Sequence, residues 1–142
     1  MRNRRVTTRP TIRAIAQGAF ALALAACSSG GSDADVDKRS VERWNYLIAH
    51  QAEKAYDYLT PGTRATQTRE TYAAAMNSRP VRWTAVKFNR KECDTDRCKV
   101  YVDVTYSVVM PGAGAIGRPM TATSTQTETW VRVDNGWYFL PK

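Results

Sequence analysis

The hydrophobic period of this 142-residue chain changes at Pro80. Before it, residues 38–59 place Val41, Trp44, Leu47, Ile48, Ala52, Ala55, Tyr58 and Leu59 on one side of a helix, within an arc of about 140° at 100° per residue. After it, apolar side chains recur at every second position, most clearly at Val100, Val102, Val104, Tyr106 and Val108, with Lys99, Asp103, Thr105 and Ser107 on the opposite face. Helices followed by strands point to an α+β domain, a sheet with helices on one face.

Local signals set the limits of these elements. Asp37 or Ser40 can cap the first helix, and Thr60-Pro61-Gly62 is expected to end it. A second helix is expected over 69–77, carrying Tyr72, Ala73 and Met76 inward, with Ser78-Arg79-Pro80 as its breaker. A strand over 81–90 holds Trp83, Val86 and Phe88, and the shift in its alternation predicts a bulge near Ala85. The strand over 98–109 is followed by a mobile hairpin loop at 111–119, a candidate lid or contact arm built of small residues around Ile116. A threonine-rich strand over 120–133 ends in Trp130-Val131-Arg132-Val133. Asp134-Asn135-Gly136 then turns the chain into a last strand at 137–140.

The first 26 residues belong to a different problem. Arg2, Arg4, Arg5, Arg9 and Arg13 precede the 13-residue apolar run AIAQGAFALALAA, with no acid among them. A basic head and an apolar core too short to span a bilayer make a secretory signal. The run closes in Leu24-Ala25-Ala26-Cys27, which resembles the lipobox of bacterial lipoprotein precursors. That resemblance implies cleavage before Cys27, palmitate-type acylation of the new N-terminus and attachment to the lipid bilayer. Several buried chains at about 0.8 kcal/mol per CH2 make such an anchor permanent. Arg4-Arg5 lacks the rest of a twin-arginine signature, so export by the general route is expected. Ser28 after the cysteine favours the outer membrane, facing the periplasm, by the enterobacterial sorting rule. The chain thus divides into a signal peptide (1–26), a lipidated Ser/Gly/Asp-rich flexible tether (27–37) and a folded domain (38–142).

Removal of the signal also changes the meaning of the charge. The whole chain carries +8, but five of its 21 Lys and Arg precede Cys27 and all 13 acids follow it, leaving 16 bases against 13 acids, or +3. These bases are scattered rather than gathered into a stripe, so nucleic acid is set aside as a partner. Cys93 and Cys98 flank the polar turn Asp94-Thr95-Asp96-Arg97 between two strands, which in an oxidising compartment predicts a structural disulfide. A redox pair usually has two intervening residues at a helix start. A metal site would need further soft or imidazole ligands, and the chain has one histidine. No metal and no cofactor are expected.

The tryptophan-bearing first helix, Tyr-Asp-Tyr-Leu-Thr-Pro at 56–61 and the Trp-Val-Arg-Val-Asp-Asn-Gly-Trp-Tyr-Phe hairpin at 130–139 resemble the NTF2-like superfamily, most closely its small bacterial lipoprotein members, over about residues 38–142. The resemblance implies N-terminal helices packed on a strongly curved antiparallel sheet, a cone around an apolar pocket. Such folds host isomerases, dehydratases and non-catalytic binding or assembly domains alike. The aromatics of this chain are mostly core residues, and Trp44, Tyr58, Tyr72, Trp83, Tyr106 and Trp130, with Ile116, are the candidates for a pocket or contact surface.

Tyr46, His50, Glu53 and Asp57 cluster on the first helix but lie opposite its apolar stripe, facing water. Asp103 and Glu128 sit mid-strand, where they reach a pocket only if the sheet turns that face inward. No pair of acids has a spacing that singles it out for acid–base work. The sequence therefore favours an envelope lipoprotein with a non-catalytic domain that binds a small apolar ligand or an envelope protein partner, with a homodimer as a further option. A periplasmic immunity or inhibitor lipoprotein and a small isomerase-like enzyme are the alternatives.

Overall fold

The computed structural model describes residues 35–109 and 119–142. Cys27, the signal and most of the tether lie outside the described residues, as does the 111–119 loop with Ile116, except for Pro119.

Helices come first, as the period requires, but the first is shorter than expected. Helix α1 spans Val36–Ile48, α2 spans Ala52–Ala55 and runs into a 3-10 turn at Tyr56–Tyr58, α3 spans Pro61–Thr66 and α4 spans Arg69–Asn77. The expected helix over 38–59 is broken at His50, whose φ is 55°. The break is a Schellman stop: Gln51 N–H donates to Tyr46 O at 2.8 Å and His50 N–H to Leu47 O at 3.2 Å. Ala52, Ala55, Tyr58 and Leu59 are buried after the break as the stripe predicted, because the chain resumes with the same side turned inward.

Thr60-Pro61-Gly62 also acts differently from expectation. Thr60 ends one helical segment and starts another. Its hydroxyl accepts from Thr63 N at 3.2 Å, while Pro61 occupies the first turn of α3, where its missing N–H costs nothing. Thr68 caps α4 in the same way, and α4 has the expected limits.

Four strands form one antiparallel sheet in the order β1-β2-β3-β4: β1 Arg82–Cys93, β2 Arg97–Val109, β3 Pro119–Val133 and β4 Gly136–Leu140. The expected irregularity in β1 is present twice, between Trp83 and Ala85 and between Phe88 and Arg90. Asp134 and Asn135 have φ of 46° and 65°, the two left-handed residues that a type I′ turn needs to join β3 to β4. The outer edge of β4 is covered in part by Leu59 and Thr60, with Thr60 N–H donating to Phe139 O at 3.0 Å.

The core lies between the helices and the inner face of the sheet. Val100, Val102, Val104, Trp130 and Trp137 from the strands meet Val36, Trp44, Leu47, Leu59 and Tyr72 from the helical half. Helix α1 crosses β1 and β2 and reaches β4. Tyr56 fastens α3 by donating to Gln67 O at 2.7 Å.

Cys93 and Cys98 face each other across the β1–β2 register, their sulfurs 2.00 Å apart, at disulfide distance. Replacing both by Ala is expected to lower stability by about 2 kcal/mol, the chain-entropy value for so short a loop. Urea unfolding of the wild type with and without reductant checks this, and an unchanged midpoint on reduction would remove the bond from the stability of the hairpin.

Candidate functional site

Helical spacing puts Ser40, Arg43, Trp44 and Leu47 on the buried face of α1. Strand alternation puts Glu128 on the same side of β3 as Trp130. The two elements meet there, and two opposite charges are buried together. Arg43 Nη1 lies 2.6 Å from Glu128 Oε1, with the two side chains 6% and 4% exposed. Glu128 Oε2 accepts from Ser40 Oγ at 2.6 Å and from Trp130 Nε1 at 2.9 Å. A carboxylate taken out of water is tolerated only when it is paired and hydrogen-bonded, and here two donors serve Oε2 and one serves Oε1.

Beside this cluster is a cavity of about 390 Å³ between α1, α4 and the inner sheet face. Its wall holds Leu47, Tyr72, Met76 and Trp83 as well as Arg43 and Trp44, with Phe139 and Gln126 from the sheet and Arg79 at the end of α4. Trp44 and Trp83 meet edge to face, ring centroids 5.4 Å apart. Arg43 lies over the ring of Phe139 at 3.8 Å. An adjoining hollow of about 420 Å³ shares Trp44, Arg79, Trp83 and Gln126 and extends to Tyr106. A larger depression of about 510 Å³ between α1 and β1 is an open groove with Phe88 as its aromatic side chain.

Of the sequence candidates, Trp44, Tyr72 and Trp83 share the cavity wall, and Tyr106 lines the adjoining hollow. Tyr58 and Trp130 do not line either space. Trp130 is fully buried against Tyr58 and Phe139, and Tyr58 packs under Arg39. Sequence reasoning missed Arg43, Ser40 and Phe139, although a serine inside the apolar arc, Ser40, was a visible signal. It weighed Glu128 without finding a partner for it.

Several titratable groups outside the cavity are occupied elsewhere. Asp57 pairs with Arg69 at 2.6 Å, and the hydrogen bond from that guanidinium holds its carboxyl below the usual range. Asp103 accepts from Thr125 and Asn89, which lower it likewise. Burial, and then the nearby Glu42, push the Tyr58 hydroxyl up, so it stays protonated at neutral pH. His50 and Glu53 are exposed, and Tyr46 packs against the Tyr58 ring at 6.1 Å, so the four polar residues of the first helix do not converge. Among the described residues no group of His, Cys, Asp and Glu has the arrangement of a metal site.

No protein-family profile and no curated protein matches the chain in sequence. Several solved structures share its fold, and two of them illustrate the likeness. One is the crystal structure of a Campylobacter jejuni protein provisionally described as an NTF2-like transpeptidase, at 12% identity and a TM-score of 0.50, covering 78% of this chain and all of that one. The other is the solution structure of a SEC-C motif containing protein of Rhodopseudomonas palustris, at 12% identity and a TM-score of 0.51, covering 71% of each chain. At such identity these likenesses concern the fold alone: helices on one antiparallel sheet, as in an NTF2-like domain.

Proposed function

We propose that this chain is the precursor of a lipid-anchored protein of a bacterial cell envelope, whose NTF2-like domain binds a small apolar ligand without transforming it. The observation that carries the binding half is the cavity of about 390 Å³ walled by Trp44, Tyr72, Met76 and Trp83. Among the described residues no Asp, Glu or His lines the cavity, which supports the non-catalytic half. Glu128, which pairs with the cavity residue Arg43, is held by Ser40, Arg43 and Trp130 and does not itself line the cavity, and an enolising enzyme needs a base that reaches its substrate. The cone-like curvature of the sheet belongs to the same reading, supported by the two bulges in β1. The anchoring half rests on Leu24-Ala25-Ala26-Cys27 behind its basic, apolar leader.

A protein partner is the second reading, favoured by Val109 and Met120, which are 62% and 59% exposed at the free end of the β2–β3 hairpin. Native mass spectrometry of protein extracted from membranes tests both halves of the proposal. The expected result is an N-terminal Cys27 carrying acyl chains and one small molecule per domain. An unmodified Cys27 would end the anchoring argument. An empty domain that crosslinks in cells to a single protein would shift the function to scaffolding.

A further inference from the structure

The cavity wall contains donors with nothing to donate to. Of the five N–H groups of Arg43, one reaches Glu128 and one reaches Tyr72 OH at a long 3.4 Å. Arg43 Nε is buried without a partner, and so is Trp44 Nε1 beside it. Both residues are more than nine-tenths buried, and both line the cavity. Buried polar groups left unpaired are costly and rare, so two on one wall call for an explanation. A further unpartnered indole donor, Trp137 Nε1, does not lie on this wall.

The unused donors of Arg43 have a particular shape. Glu128 takes Nη1, so the edge formed by Nε and Nη2 is left open apart from the weak contact with Tyr72. Two parallel N–H groups along one side of a planar guanidinium match the two oxygens of a carboxylate. Arg79 adds a cation at the end of α4, and no Asp or Glu side chain lines the cavity. Beyond this corner the apolar part of the wall is Leu47, Met76, Trp83 and Phe139, beside polar Gln126 and Thr127.

Resting on the binding reading above, we infer that the ligand is an amphipathic monocarboxylate. Its carboxylate bridges the Nε–Nη2 edge of Arg43 and Trp44 Nε1, and its apolar body lies against Trp83 and Met76. Both donor atoms are buried, so side chains of the wall move to admit the oxygens. Glu128 is not displaced in this arrangement; it holds the guanidinium in place through Nη1.

Octanoate and its neutral isostere octanamide are the probes, titrated into the 15N-labelled domain and followed at the Arg43 Nε–H and Trp44 indole N–H resonances. The expected result is movement of both signals and binding of octanoate at least tenfold tighter than of octanamide. Arg43→Lys keeps the charge opposite Glu128 but lacks the two-pronged edge, so it should bring the two probes to within twofold of each other. If that variant does not fold, the wild-type resonances still decide the matter. Equal binding of both probes would overturn the carboxylate while leaving an apolar-ligand site. Binding that leaves the Arg43 and Trp44 signals unmoved would overturn the anchor. No binding of either probe would overturn the binding reading as well.

Discussion

Arg43→Met lowers the stability of the domain by about 3–5 kcal/mol, the cost of breaking a buried ion pair from one side. The guanidinium and the Glu128 carboxylate are 6% and 4% exposed and 2.6 Å apart. Methionine fills much of the volume above Phe139, so the loss is electrostatic rather than steric. Ser40 and Trp130 still donate to Glu128 Oε2, but Oε1 loses its partner and the buried charge loses its counter-charge. The double variant Arg43→Met/Glu128→Leu removes both charges and is expected to recover most of the loss, because an apolar pair of similar volume is often as stable as the ions it replaces. Chemical denaturation at constant m-value measures all three proteins. An Arg43→Met domain within 1 kcal/mol of the wild type would mean that water reaches the pair.

That ion pair also marks where the sequence stopped being legible. Alternation placed Val100, Val102 and Val104 inward, and the structure agrees, because one face of an antiparallel sheet must be dry. The end of α4 was readable because Ser78-Arg79-Pro80 punctuates it chemically. His50 was not readable as a helix stop. The αL position after a helix is ordinarily glycine, and the buried stripe continues on both sides of the break. Thr60-Pro61 carries the same letters whether it ends a helix or begins one, and only the path of the chain past Phe139 decides.

The cavity itself was half legible. Trp44, Tyr72 and Trp83 stood out as large aromatics on inward faces, whereas Tyr58 and Trp130 look identical to them in sequence and serve the core instead. Arg43 and Glu128 are 85 residues apart. Each is a charge on a buried face, a violation of the local rule that the other answers. Such paired violations are where local rules fail because a non-local contact satisfies them.

Trp130→Ala is expected to cost about 3–5 kcal/mol, the range for emptying a large aromatic site in a packed core. Trp130 is fully buried, with Phe139 and Tyr58 centroids 6.0 and 6.5 Å from its own, and both rings lose their neighbour. The indole also supplies one of the three donors on Glu128, so cavity and polar losses are mixed in that variant. Trp130→Phe separates them. It retains a ring against Phe139 but removes the donor, at about 1.5–3 kcal/mol for a hydrogen bond to a charged group, plus a smaller packing loss. In a Glu128→Leu background the donor no longer has its acceptor, so Trp130→Phe should cost less there than in the wild type. Contacting residues in one network couple in this way, and the difference between the two backgrounds is the coupling energy. An equal cost in both would show that Trp130 stabilises the domain through packing alone, and that Ser40 and Arg43 suffice to hold the carboxylate.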